Sequence, residues 1–442
     1  MSTHTVRPAR NLNGSLTLPG DKSISHRYAM LAGLAEGTTL LSNFSTGADP
    51  HSTLACMSAL GAKVETRGGN VIAITGTAGH FAQPESNLDC GNSGSTMRML
   101  AGLIASHPHT FTLTGDSSLS VRPMERIRQP LARMGAEIHL TGGDGALGGH
   151  APITVVGRPL SAIDFTTPIP SAQVKTAVLF AGLQAIGTTS LSESIRTRDH
   201  TEHALRAFAA NLTRSGADAT ATLSIAGGQK LHAIEATVPG DLSSAAFFLA
   251  ASLLFPESHL VLDALGLNPT RSALLDVISG LGAKIRVLNV EEHNGELVGT
   301  IQVNADPNAR KLTEPFEISG PLSAQLIDEI PVLAAIAPFT PTGMRIRDAG
   351  ELRIKESDRI DLVARNLRSM GAHLTEHPDG LDIPGNQQLH GAAIDSGDDH
   401  RIAMAFAIAA LRATGDTEIH GAEAARISFP EFFTHLDRLA VR

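Results

Sequence analysis

Along this chain, apolar runs of helical spacing alternate with short stretches in which polar and apolar residues take turns, the pattern of helices and half-buried strands in succession. One phrase returns five times, a helical stretch ending in Gly-Ala before an alternating strand. It is centred on Leu60-Gly61-Ala62, Met134-Gly135-Ala136, Ser215-Gly216-Ala217, Leu281-Gly282-Ala283 and Met370-Gly371-Ala372. In each copy the glycine stands where a helix takes a left-handed C-terminal cap, so the phrase predicts helix, cap, strand. A Gly- or Asn-containing turn and a second strand follow, as across Arg67-Gly68-Gly69-Asn70 into Val71-Ile72-Ala73-Ile74. A unit of roughly 65–90 residues exceeds solenoid periods and predicts an α/β protein of a few compact lobes.

Two breaks echo each other, Leu18-Pro19-Gly20-Asp21 and Val238-Pro239-Gly240-Asp241. Each predicts the start of an equivalent helix, the first carrying Tyr28, Met30, Leu31 and Leu34 on its apolar side. Together they predict two crossings between lobes, with residues 20–238 in one and residues 1–19 with 239–442 in the other.

The 442 residues, 42% hydrophobic and 18% charged, describe a globular protein. A net charge of −9, no Trp and a single Tyr argue against nucleic-acid or membrane-surface partners, so any anion site is a local pocket of Lys and Arg. Cys56 and Cys90 are too few for a disulfide framework and lack metal-ligand spacing. With no signal-like or membrane-spanning apolar run, the expectation is a cytoplasmic protein with buried thiols.

Candidate chemistry gathers at predicted helix starts. Lys22, Ser23 and, one turn on, Arg27 combine an ammonium, a hydroxyl and a guanidinium with the free N–H groups and positive dipole end of a helix, a natural anion site. Gly91, Asn92, Gly94, Ser95 and Thr96 form either an anion nest or a plain cap before an apolar helix that runs on through Met99, Leu100 and Leu103. Arg122-Pro123-Met124 and Ser171-Ala172-Gln173 each stand at the entry to a predicted apolar helix. Arg122 there can fork onto a phosphate or carboxylate, or form a surface ion pair, while Ser171 can bond a hydroxyl or simply cap.

The C-terminal half supplies acids. Asp328 and Glu329 precede an apolar helix, answering its dipole or serving as a general base. Arg353 to Arg359 read as a helix with Lys355 and Arg359 on one face, and Asp398-Asp399-His400-Arg401 open another apolar helix. The joint reading is a ligand with more than one anionic group, bound between two lobes.

The ordered set Pro19-Gly20-Asp21-Lys22-Ser23, Gly91-Asn92-Ser93-Gly94-Ser95, Arg122-Pro123-Met124, Pro170 to Lys175, Arg198 to Glu202, Asp328 to Leu333, Lys355 to Arg359, Asp399 to Met404 and Ser428 to Phe432 resembles the 5-enolpyruvylshikimate-3-phosphate synthase family of enolpyruvyl transferases. The resemblance implies a two-lobed α/β fold of six βαβαββ units, three per lobe, with the active site in the interlobe cleft. It implies transfer of the enolpyruvyl group of phosphoenolpyruvate to the 5-hydroxyl of shikimate 3-phosphate by a monomer without metal or organic cofactor. By the same resemblance Lys22, Ser23, Arg27, Ser171, Ala172, Gln173, Arg198, Asp328 and Lys355 hold shikimate 3-phosphate, and Lys22, Gly94, Arg122, Gln173, Arg359 and Arg401 hold phosphoenolpyruvate. Asp328 takes the hydroxyl proton, and Glu356, assisted by Lys22 or Lys355, protonates C3 of the enolpyruvyl group. Gly94, where tolerant relatives carry alanine, implies sensitivity to glyphosate. Two positions depart from the family pattern: Ile427, preceded by Arg426, replaces a lysine, and Glu351 replaces an asparagine. Competing readings are the sister transferase acting on UDP-N-acetylglucosamine, disfavoured by Lys22-Ser23 and by the absence of cysteine from residues 112–128, and a phosphosugar-binding module without turnover.

Overall fold

A computed structural model describes residues 2–142, 149–216, 221–306 and 312–442, which group into two compact units. One unit is Gly20–Val238 with Glu292–Glu296; the other is Met1–Pro19, Pro239–Glu291 and Leu297–Arg442. Both Pro-Gly-Asp breaks fall at these boundaries and open helices, Lys22–Leu34 and Leu242–Ser252. The reason is local in each case: the Asp21 carboxylate accepts from the Ile24 N–H at 3.0 Å and the Asp241 carboxylate from the Ser243 N–H at 2.8 Å, satisfying donors that a helix start leaves open.

The described residues form six small sheets, three in each unit. In the unit around Gly20–Val238 each has four strands and one plan, a parallel pair extended by two antiparallel neighbours. Thr38–Ser42 runs parallel to Glu235–Thr237 and antiparallel to Ile72–Thr75, which pairs in turn with Lys63–Thr66. The sheets built on Thr110–Thr114 and on Thr188–Glu193 repeat this order. In the other unit the sheet built on Gly343–Ile346 does the same, beside a three-stranded and a five-stranded sheet.

Three helices are enclosed in each core: Lys22–Leu34, Gly94–Ile104 and Ala172–Gly182 in one, Leu242–Ser252, Ile330–Ile336 and His400–Ala410 in the other. Enclosure corrects one expectation. The helix after Asp21 has no polar side, because every residue from Ile24 to Leu34 is buried, Ser25, His26 and Arg27 included. The helix Glu125–Arg133, expected to be apolar, is instead amphipathic, with Ile127, Pro130 and Leu131 turned inward.

The helix, cap, strand phrase holds at Gly61, Gly135, Gly282 and Gly371, which follow the helices Ala48–Ala59, Glu125–Arg133, Ala273–Gly280 and Arg359–Ser369. It fails in the copy around Gly216. There Leu212–Ser215 is already a strand, and Ala217–Ala219 lie outside the described residues. The helix His200–Ala207 ends earlier, and Ala209 takes the left-handed conformation at φ +67°, so the cap lacks the glycine that would mark it in the sequence. Ala209→Gly therefore stabilises the protein by up to about 1 kcal/mol by relieving that conformation, whereas Gly135→Ala, at φ +102°, costs about 1–2 kcal/mol. Urea melts of the two variants, followed by circular dichroism, are expected to shift in opposite directions.

Candidate active site

In the unit around Gly20–Val238, the predicted donors cluster at the starts of the three enclosed helices. Lys22 opens the first and forms an ion pair with Asp49 at 3.1 Å; Ser23 follows it. Arg27 does not reach outward as a loose cation. Its Nε donates to Thr201 Oγ1 (2.7 Å), Nη2 to Thr176 Oγ1 (2.9 Å) and Nη1 to the Ser23 carbonyl (2.8 Å), tying three helices together. Burial among these neutral acceptors lowers its guanidinium to about 10.

The second helix starts at Gly94 and is capped by Ser93, whose hydroxyl accepts from the Thr96 N–H at 3.0 Å. Gln173, on the third, donates to Ser95 Oγ (2.9 Å) and accepts from Arg98 Nη1 (2.7 Å), joining the two starts. Ser171 caps its helix through the Val174 N–H, and Ala172 begins it. Arg122 is buried, not a surface ion-pair partner; its Nη2 donates to Asn92 Oδ1 and Ser118 Oγ, both at 3.0 Å. A Cβ on Gly94 would stand 3.1 Å from Arg98 Nη1 and 3.5 Å from Arg122 Nη1, so this glycine lets two guanidinium tips approach the helix start. Arg198 lies half-buried on the segment before the helix His200–Ala207.

The other unit gathers the acids. Residues 353–359 are not one helix: a 3₁₀ turn, Gly350–Ile354, precedes Lys355, and the helix Arg359–Ser369 begins with Asp358 as its cap. The i, i+4 pairing expected of Lys355 and Arg359 is therefore absent, yet both meet Asp328, each at 3.7 Å. Arg359 is 1% exposed and also meets Glu356 at 2.6 Å and Asp399 at 2.8 Å. Burial alone would lower its guanidinium, but Asp399, Glu356 and Asp328 more than reverse this and hold it above the usual value. For Lys355 the balance goes the other way: burial outweighs Asp328 and Glu356 and holds its ammonium below the ordinary lysine value.

His400 and Arg401 open the enclosed helix His400–Ala410 behind the Asp399 cap. Arg401 Nη2 donates to Ser243 Oγ at 2.8 Å, and Nη1 stands 3.8 Å from Glu329. Glu329 is buried rather than a solvated dipole partner, accepting from the Ser243 hydroxyl and standing 3.4 Å from Arg271. Ser243, Arg271, Asp49, Asn92, Ser118 and Arg98 complete these clusters, although Ser243, Arg271, Asp49 and Ser118 lie in no motif the sequence singled out. Arg426 is exposed at the end of the 3₁₀ segment Ala422–Ile427, and Glu351 lies exposed in the turn Gly350–Ile354.

This arrangement of small sheets around enclosed helices is shared with NikO of Streptomyces tendae, an enolpyruvyl transferase whose structure matches at a TM-score of 0.76 over 98% of this chain and 96% of that one; at 18% identity that likeness shows the fold alone. The particular family follows from closer matches. The profile of EPSP synthase (3-phosphoshikimate 1-carboxyvinyltransferase) spans residues 6–436, and the chain belongs to that family. It is 55% identical over the full length of both chains to the 3-phosphoshikimate 1-carboxyvinyltransferase of Koribacter versatilis, and 51% identical to that of Solibacter usitatus over 98% of this chain and 99% of the relative. The EPSP synthase structure from Acinetobacter baumannii matches at a TM-score of 0.84 and 37% identity, covering 99% of this chain and 98% of that one.

Replacing Asp399 by alanine leaves the buried Arg359 charge without its bidentate partner and is expected to cost about 3–5 kcal/mol. A drop in the denaturation midpoint beyond that of Asp361→Ala, which removes a half-buried acid of the helix that Arg359 opens, checks this.

Proposed function

We propose that this protein transfers the enolpyruvyl group of phosphoenolpyruvate to the 5-hydroxyl of shikimate 3-phosphate, releasing phosphate. The observation that carries the reading is the set of groups at neighbouring helix starts, Lys22, Gly94 and Gln173, with Arg122 reaching in beside Gly94, in a chain that matches 3-phosphoshikimate 1-carboxyvinyltransferases from end to end. Lys22, Ser23, Arg27, Ser171, Ala172, Gln173, Arg198, Asp328 and Lys355 hold shikimate 3-phosphate; Lys22, Gly94, Arg122, Gln173, Arg359 and Arg401 hold phosphoenolpyruvate. Fixed guanidiniums suit a carboxylate and a phosphate whose charge shifts during reaction, because they need no reorganisation as it does so.

In this account Asp328 accepts the 5-hydroxyl proton as the oxygen bonds to C2, while C3 takes a proton from Glu356. The tetrahedral intermediate then loses phosphate and a C3 proton. The proton on Glu356 is supplied in turn from Lys355, which interacts with Glu356 and gives up its proton more readily than an ordinary lysine. Glyphosate is expected to inhibit, since no methyl group at Gly94 crowds the two guanidinium tips. The enzyme is read as a cytoplasmic monomer; the two free, buried thiols Cys56 and Cys90 support a reducing compartment.

Phosphate release from phosphoenolpyruvate tests the reading. Release with shikimate 3-phosphate but not with UDP-N-acetylglucosamine is expected, with Asp328→Ala lowering kcat by about 10²–10⁴-fold; release with the nucleotide sugar alone, or binding of shikimate 3-phosphate without turnover, contradicts it. The pH profile has a definite sign. The Lys355 cation disappears as pH rises through its lowered value, so the alkaline limb starts below the ordinary lysine value of about 10.4, and Lys355→Arg, whose guanidinium holds its proton, lowers kcat and moves the remaining limb upward.

A further inference from the structure

His26 belongs to no part of the proposed chemistry, yet it is completely buried one turn beyond Lys22. Its Nδ1 lies 2.7 Å from Thr53 Oγ1, Thr53 Oγ1 lies 2.7 Å from Thr96 Oγ1, and the Thr96 hydroxyl donates to Ser93 Oγ at 2.8 Å. All three partners are fully buried as well. Lys22 and His26 are four residues apart on one helix, as Asp49 and Thr53 are on another, so the pairs Lys22–Asp49 and His26–Thr53 are two rungs between the same two helices, one turn apart. The second rung continues through Thr96 to Ser93, the cap of the helix that begins at Gly94.

The direction of the chain follows from proton counting. Each hydroxyl has one proton to give. With Thr96 giving its proton to Ser93, it accepts from Thr53, which in turn accepts from His26 Nδ1–H. The opposite direction would place the imidazole proton on Nε2, which is buried with no hydrogen-bond partner among the described residues, and an orphaned buried N–H is costly. Burial first, and then the Lys22 and Arg27 cations, hold His26 well below the ordinary imidazole value, so the ring is neutral and has a single proton to place.

We propose that His26, acting through Thr53 and Thr96, is a positioning residue of the phosphoenolpyruvate half of the site: the chain His26 Nδ1–H to Thr53 to Thr96 to Ser93 holds the helix that carries Lys22 in register with the helix start that carries Gly94 and Ser95. This rests on the reading that Lys22 and Gly94 hold phosphoenolpyruvate. The shikimate 3-phosphate residues Lys22 and Ser23 share the helix of His26, but Arg27 ties it independently to Thr176, on the helix that Ser171 caps, and to Thr201, whereas the start at Gly94 is held to it by the chain, so loss of the chain acts mainly on phosphoenolpyruvate.

The test combines kinetics with the tautomer. Thr53→Val keeps the side-chain volume and removes the hydroxyl; His26→Ala removes the donor; His26→Asn restores an N–H close to the position of Nδ1. Thr53→Val and His26→Ala are expected to raise KM for phosphoenolpyruvate about tenfold, with KM for shikimate 3-phosphate and kcat changed less than threefold, while His26→Asn stays close to the unsubstituted enzyme. Unchanged KM for phosphoenolpyruvate in both disruptive variants, or equal rises for the two substrates alongside a lower melting temperature, overturns the proposal. ¹⁵N chemical shifts of His26 judge the chain without turnover: a proton on Nδ1 supports it and a proton on Nε2 overturns it. An unsubstituted enzyme that transfers nothing to shikimate 3-phosphate would fail the functional reading, and the imidazole shifts would still decide the chain.

Discussion

Cations that are to grip an anionic substrate must stay charged and fixed while largely removed from bulk water, and the site residues of each unit are arranged around that constraint. Arg359 meets it with three carboxylates, Asp399, Glu356 and Asp328. Arg401 meets it with Glu329 and Ser243, and Lys175, fully buried and outside the proposed binding sets, shows the same pairing with Glu193 at 3.0 Å and Glu202 at 2.9 Å. Arg27 is held by hydroxyls and a carbonyl instead, and burial lowers its guanidinium even with the Glu202 and Asp21 carboxylates nearby. An unpaired buried charge would cost several kcal/mol, more than most single interactions in a domain contribute. These acids therefore keep the cations fixed where the proposed function needs them.

The fold supplies the second half of the arrangement. Helices enclosed on all sides are apolar along their length, and their polar needs are concentrated at their starts, where four N–H groups lack partners. Asp21, Ser93, Ser171, Asp241 and Asp399 cap those starts with side-chain oxygens. The residues proposed to bind substrate occupy the next one or two positions after Asp21, Ser93, Ser171 and Asp399, so these caps fix their geometry along with the helix.

Much of this was legible in the chain because caps and breaks are local. Asp21 and Asp241 announce their helices by Pro-Gly-Asp, and four Gly-Ala phrases mark real helix ends. The fifth misleads because Ala209 provides the left-handed cap itself, leaving Gly216 to belong to the turn after a strand. The stretch 353–359 misleads because charges at helical spacing say nothing about the Asp358 cap, which delays the helix by several residues. Least legible are contacts between distant segments. Ser243, Arg271 and Glu329 meet only in three dimensions, and Asp49, Thr53 and Ser118 look like ordinary helix-start or turn residues until their partners are seen.

In the proposed reaction the cations and carboxylates add a proton to C3 of phosphoenolpyruvate and later remove one, so that transfer runs by addition and elimination. Its most direct test is the reaction of phosphoenolpyruvate with shikimate 3-phosphate in D₂O, with the product read by mass spectrometry and proton NMR. Deuterium in the enolpyruvyl methylene group is the predicted result, because C3 passes through a methyl stage that exchanges one hydrogen with the site's acids. A transferred enolpyruvyl group free of deuterium would contradict the account.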